Sequence, residues 1–461
     1  MKKPKANDQL GQKAKTVGIC HPLEVAEMNR RQMLATGVSM TAYANLGNLL
    51  FGKQAMAQTT SYAPKKNLIW INMSGCWDIL EITDPKPAST SGIDMIYTWG
   101  EARAVAGASD GARIGRFLPG IANLGSDLLV VRGLAMGTTS HMAGSVYMDT
   151  GILSNAGRVN AASVPAIVAS ESNATIPIIQ LNGGSEPQTD RGLLKPVSAV
   201  RADNLALYRS MYPDGDEALE RKTAVLDYLA ASATRLQDEV GANDRLSNLT
   251  AAESKVRGQF AENVGAKLEL TDSDRSLFTT NAPAGMGGGG SDAFALALKL
   301  INNDIVTCIN LGVGGFDTHQ NQTTRLQPIL GGVDFMISQL VAGLKLSGKL
   351  DDTLIVLYSD FGRTPMVNGS NGRDHWPTGG ALIIGGGIDG GRAVGATDDN
   401  LNAVNLVNPN TGLETTDAAV GVQLNPTHVG GMVVNLALGS GYSTYRPYLE
   451  ALPALTRLKG S

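Results

Sequence analysis

The feature that most narrows what this chain can become is a set of short, uninterrupted apolar runs, each closing on a polar loop. Asn67–Met73 (NLIWINM) runs into Ser74-Gly75, and the stretch that opens at Asp127 runs through Leu128 to Val131 and ends at Arg132-Gly133. Ile176–Leu181, Ile305–Leu311, Thr353–Tyr358 and Ala381–Ile384 repeat the pattern. Runs this short, without polar alternation, suit strands buried on both faces. Segments with helical spacing lie between and after them, at about 292–302, 323–347 and 427–438. Strands of this kind alternating with helices predict an α/β fold, a mostly parallel sheet covered on both faces. Ligands in such folds meet the carboxyl ends of the strands. Polar residues just past each run are therefore the candidates for chemistry.

The first 57 residues read as an address, not as part of that fold. Asn29-Arg30-Arg31-Gln32 precedes an apolar run, Met33 to Phe51, diluted by Thr36, Ser39, Thr41, Asn45 and Asn48, and Ala55-Met56-Ala57 supplies a small-x-small cleavage pattern. Paired arginines before a mildly apolar stretch resemble a twin-arginine (Tat) export signal. The expectation is passage through the Tat translocon to the periplasm or the outside, with no stable membrane span in the mature chain. Residues 58–461 then form one large domain with 30 Lys/Arg against 39 Asp/Glu, net −9. That balance argues against nucleic acid as a partner. Three cysteines among 461 residues are too few for a disulfide scaffold; Cys20 leaves with the address, and Cys76 and Cys308 stay. Residues 215–290 change character, to a helical insertion rich in Ala, Leu, Glu, Lys and Arg followed by a Gly-rich joint at 281–291.

Four histidines lie in residues 58–461; three have loaded neighbours, and two of these, His319 and His375, stand past strand exits. Gly314-Gly-Phe-Asp317-Thr-His319 follows the fourth run, Ser359-Asp360-Phe-Gly-Arg363-Thr364 follows the fifth, and Gly372-Arg-Asp374-His375-Trp376 stands in the next loop. Ser74-Gly-Cys-Trp-Asp78 follows the first run. Four carboxylates gathered at one sheet edge repel one another unless a cation or protons intervene. A divalent metal on Asp oxygens and His nitrogens resolves the conflict, with Zn, Ca, Mg and Mn equally open at this level. Each piece alone also has a plain structural role: Asp374-His375 as a loop tie, Asp360 as a turn cap, Arg363 as its ion partner. Ser140-His141 opens a helical stretch ending at Thr150-Gly151, where free N–H groups favour anions such as phosphate or sulfate. His428, at the start of the last helix, reads as a cap or as a residue standing behind the ligands.

The ordered set resembles the large bacterial family of Tat-exported proteins of unknown function numbered 1501, over roughly residues 65–455. The motifs that carry the resemblance are Gly-Cys-Trp-Asp at 75–78, Asp84-Pro-Lys-Pro87, His141-x-Ala143, Gly-Gly-Phe-Asp-Thr-His at 314–319, Ser-Asp-Phe-Gly-Arg-Thr at 359–364 and Gly-x-Asp-His at 372–375. Through that family the chain is similar to the alkaline phosphatase/sulfatase superfamily. The resemblance implies a three-layer sandwich with one or two divalent metals at the carboxyl edge of the sheet. Asp78, Asp317, His319, Asp360, Asp374 and His375 would be the metal residues, and Ser140, His141 and Arg363 the catalytic ones, Arg363 holding an oxyanion. Two departures stand out: Phe361 follows Asp360 where the superfamily commonly has His, and Met142 and His141 occupy the positions usual for the nucleophile, leaving Ser140 as the nearest hydroxyl. The implied activity is metal-dependent hydrolysis of phosphate or sulfate esters, on small molecules or glycans. The alternative is an exported metal- or glycan-binding protein that keeps the fold without turnover.

Overall fold

The computed structural model describes residues 66–155, 159–185, 197, 199–201, 215–240, 256–257, 264–283, 288–439 and 449–459. The N-terminal address lies outside these residues. The sheet has eight strands: β1 (Asn67–Met73), β2 (Leu128–Ala135), β3 (Ile176–Leu181), β4 (Ala199–Arg201), β5 (Val306–Val313), β6 (Thr353–Tyr358), β9 (Thr378–Gly385) and β10 (Arg392–Val394). A two-stranded hairpin of β7 (Gly362–Arg363) and β8 (His375–Trp376) stands between β6 and β9. The spatial order across the sheet is β10-β2-β9-β6-β1-β5-β3-β4. Every neighbouring pair is parallel except the two made by β9, which runs antiparallel to β2 and β6.

The exception has a simple cause. Parallel strands need a crossover of a dozen or more residues, usually helical. Between Tyr358 and Thr378 the chain makes only the β7–β8 hairpin and loops. It therefore turns back, and β9 enters reversed.

The continuous apolar runs follow from burial on both faces. In β1, Ile69, Ile71 and Met73 face one core, and Leu68 and Trp70 face the other. The first core is covered by α4 (Gly288–Asn302) and α5 (Gln322–Leu346), the second by α1 (His141–Thr150), α2 (Val164–Ser170) and α6 (Pro426–Leu438). Two helical layers with the sheet between them make a three-layer α/β sandwich, the architecture expected from the sequence. Among the described residues, α5 is the one helix long and apolar enough to cross a membrane; its Leu326, Leu330, Val333, Ile337, Leu340 and Leu344 are core side chains. Within 215–290 the described residues form α3 (Asp216–Val240), two shorter helices at Val264–Lys267 and Asp272–Thr279, and the first turn of α4, which takes in Gly288–Gly290 of the expected joint. Positions 284–287 of that joint lie outside the described residues.

Local chemistry explains the helix ends near the site. His428 closes a capping box at the start of α6, its Nδ1 accepting from Asn425 N at 3.0 Å. Helix α1 begins at His141 with Ser140 as N-cap and ends at Gly151, which takes the left-handed conformation (φ 73°) that stops it.

Candidate metal centre

The carboxyl ends of β1, β5 and β6 release three loops side by side, and the β7–β8 hairpin closes over them. Their backbones touch. A Cβ at Gly75, which has φ +107°, would stand 2.6 Å from the Asp317 amide nitrogen. One at Gly372 would stand 2.1 Å from the His319 carbonyl carbon. Only glycine admits such approaches.

Arg363 staples the loops together. Its Nε donates to Cys76 O (2.8 Å), Nη1 to Arg373 O (2.9 Å), and Nη2 to Gly75 O (2.8 Å), Phe316 O (3.0 Å) and the Asp317 carboxylate. The side chain is wholly buried. A guanidinium so buried, bonded to the chain through Nε, Nη1 and Nη2, presents no exposed edge to a substrate, so its geometry suits a positioning role and not the oxyanion role expected of it.

Three imidazoles surround Asp317, and each is pinned through Nδ1. His141 Nδ1 meets the Asp360 carboxylate, His319 Nδ1 meets Asp374 Oδ1 at 2.8 Å, and His375 Nδ1 meets Thr139 O at 3.0 Å. All three partners are acceptors, so Nδ1 is the donor in each ring, which fixes the tautomer. In the neutral rings every Nε2 is then a bare lone pair. Those lone pairs converge: His319 Nε2 lies 3.1 Å from His375 Nε2 and 3.0 Å from Asp317 Oδ1, His375 Nε2 lies 3.5 Å from the same oxygen, and His141 Nε2 lies 4.0 Å from Asp317 Oδ2. Acceptors facing one another at such distances, without a donor between them, repel. A cation between them removes the repulsion, and carboxylate- or carbonyl-backed histidines are the usual outer shell of a metal ligand set. Cys76 belongs to the same place: ligand atoms of Cys76, His141, Asp317 and His375 all lie within 4.8 Å of one another.

The same contacts set the local fields. The hydrogen bond to Asp360 raises the His141 pKa above its ordinary value, against partial desolvation. Burial would push the Asp317 carboxyl up, but the Arg363 hydrogen bond and charge, with His319 beside it, hold it below the usual range. The bond from His319 likewise lowers Asp374. Burial pushes the Cys76 thiol well up, Asp360 and Asp317 add to the rise, and Arg363 opposes it.

The residues expected from the sequence thus divide. Asp317, His319 and His375 present ligand atoms toward a common point. Asp360 and Asp374 stand behind the rings; Asp360 is buried and also accepts from Cys76 N (2.6 Å) and Ser359 Oγ (2.8 Å). Asp78 is turned away. It caps the 3-10 turn at Ile79–Glu81 through Leu80 N (2.9 Å), accepts from Gln322 Nε2, and pairs with the buried Arg373, Nε to Oδ2 3.0 Å. An aspartate so enclosed has no face for a metal. Ser140 is exposed at the start of α1, and its hydroxyl makes no capping bond. Cys76 was not singled out as a ligand by sequence, and His141 was placed there as an anion-site residue. The one available signal for Cys76 was its position directly after the Gly75 that ends β1. Cys76 and Cys308, which could have paired, are both free and buried.

No curated relative matches the chain. Among solved structures it is similar to a sulfatase from Pseudoalteromonas sp., at 12% identity over 90% of this chain and 74% of that one, TM-score 0.39. It is similar to a lipoteichoic acid synthase from Listeria monocytogenes, at 10% identity over 89% and 81%, TM-score 0.36. It is also similar to an alkaline phosphatase from the Antarctic bacterium TAB5, at 14% identity over 73% and 95%, TM-score 0.30. The model of the family described as proteins of unknown function, DUF1501, matches residues 65–431, which takes in both the sheet and every residue of the site, and the chain belongs to that family.

Proposed function

We propose that the protein is an exported, metal-dependent hydrolase of phosphate or sulfate esters. The observation that carries the reading is the convergence of three histidine Nε2 lone pairs on Asp317, each ring backed by an acceptor at Nδ1. His141, His319, His375 and Asp317 would hold a divalent metal. Bound there, it would polarise an ester oxygen and acidify a water molecule. The nitrogen-rich donor set suits a zinc-type ion better than Ca²⁺ or Mg²⁺, which prefer oxygen.

The chain's own residues supply the frame. Asp360, Asp374 and Thr139 O hold the rings in one tautomer. Arg363 fixes the loops that carry Cys76 and Asp317. Helix α1 starts at His141, one of the converging rings, and the free N–H groups of a helix start suit an anionic ester group. Ser140 is the hydroxyl nearest to the positions usual for the nucleophile, Met142 and His141. Export rests on the Arg30-Arg31 pattern and the cleavage-like Ala55-Met56-Ala57.

One observation favours the second reading, a metal-dependent binding protein without turnover. No hydroxyl side chain is among the groups that meet at Asp317, and Arg363 is closed to substrate. A single experiment separates the two. The purified mature protein is analysed for metal and assayed on a panel of aryl phosphates and sulfates, beside Asp317→Ala and His375→Ala. One equivalent of metal with turnover, both abolished in the variants, supports the hydrolase. Metal without turnover supports the binding role. A wild type that holds no metal removes both.

A further inference from the structure

Cys76 is held more tightly than a core cysteine requires. It is a non-glycine residue in the left-handed region, φ 49°, directly after Gly75 at φ 107°. Such conformations cost energy and persist where the surroundings enforce them. Here Asp360 takes its N–H at 2.6 Å and Arg363 donates to its carbonyl at 2.8 Å. This double grip sets the direction of the side chain, and the sulfur arrives within 4.8 Å of ligand atoms of His141, Asp317 and His375. The other described cysteine, Cys308, is a contrast: it lies inside β5 in the apolar core with Cβ-level neighbours of the α2 and α6 layer.

We propose that Cys76 is a sulfur ligand of the metal centre, and that the centre therefore takes a thiophilic ion of the zinc and cobalt kind and discriminates against Ca²⁺ and Mg²⁺. The inference rests on the reading of this cluster as a metal site. Sulfur and imidazole together select such ions, whereas oxygen-only cages select the hard ones. Binding replaces the S–H bond by an S–metal bond and releases the proton to solvent.

The test is a Co²⁺ titration of the metal-stripped full chain, followed by absorption. Visible ligand-field bands report that cobalt is bound by the protein. A near-ultraviolet sulfur-to-cobalt charge-transfer band reports a sulfur ligand. The wild type is expected to show both at one equivalent, and a large excess of Ca²⁺ or Mg²⁺ should not displace them. Cys76→Ser should keep the visible bands, lose the charge-transfer band and bind about 10- to 100-fold more weakly. A variant without Cys20 and Cys308 should keep both bands; it assigns the sulfur even if Cys76→Ser fails to fold. Visible bands without charge transfer in the wild type overturn the proposal and leave the metal site standing. No cobalt bands at all overturn the metal site itself.

Discussion

Asp78 and Asp317 follow two neighbouring parallel strands, β1 and β5, and yet end in opposite conditions. Asp78 is fully buried, and each of its oxygens has a partner within the chain: Leu80 N, Gln322 Nε2 and the Arg373 guanidinium. Asp317 has a side chain 51% exposed; Arg363 and the Nε2 atoms of His319 and His375 all meet its Oδ1, and His141 Nε2 stands 4.0 Å from Oδ2. The chemistry at the two strand exits is the same in sequence. Each has a buried arginine beside it; what differs is the rest of the surroundings. Where the chain provides its own cation and donors, the carboxylate is structural. Where it provides further acceptors around an exposed side chain, the carboxylate is open to the cation proposed above.

Four measurements can break or sharpen this contrast. The largest effect belongs to the closed side. Arg373→Met leaves Asp78 buried without its counter-charge and should cost ~3–5 kcal/mol of stability in denaturant unfolding; a loss below ~1 kcal/mol would mean that the pair does not hold the fold. Next comes the seam between α1 and the open group. A Cβ at Gly144 would stand 2.1 Å from Asp360 O, so Gly144→Ala should destabilise by ~1–3 kcal/mol and move the His141 ring off its acceptor. Unchanged stability and unchanged metal affinity would show that α1 has room to shift. On the open side, Asp374→Ala removes the acceptor behind His319 and should weaken metal binding about 10- to 100-fold with little change in unfolding of the metal-free protein. Equal affinity would take Asp374 out of the site.

The smallest effect is a pH slope on the closed side. Burial, with the Asp78 charge beside it, raises Glu81 from 4.5 to about 7, while Arg116 and Arg373 oppose the rise. The folded state thus holds this proton more tightly than the unfolded chain. The stabilisation is complete below pH ~4.5 and is lost as pH rises through ~7, with a slope of at most ~1.4 kcal/mol per pH unit. Glu81→Gln should flatten that part of the stability curve. If the slope persists, another group causes it.

The fold was largely legible because burial on both faces writes a strand as an unbroken apolar run. The strand exits were legible for the same reason, since Gly and charged residues follow each run. Which carboxylate faces inward was not. Direction at a loop depends on backbone dihedrals, and the Gly75–Cys76 turn sends sulfur, not Asp78, toward the other loops. The role of Arg363 was hidden too. Its partners are mainly backbone carbonyls of residues up to 288 positions away, and no spacing in the sequence encodes them. The reversal of β9 was readable in principle, from the lack of a helix between Tyr358 and Thr378.

The site is drawn from positions 76, 141, 317, 319 and 375, which are joined through the backbone contacts at Gly75 and Gly372 and through one arginine. Only 317 and 319 are local to one another. A chain emerging from the ribosome presents at first a cysteine and a histidine far apart, and the His375 loop is made only after four fifths of the sequence. The full set of ligands proposed above therefore exists only once the sheet is assembled. On that proposal, the compartment in which the chain completes its fold is also the one whose metal supply decides what it carries.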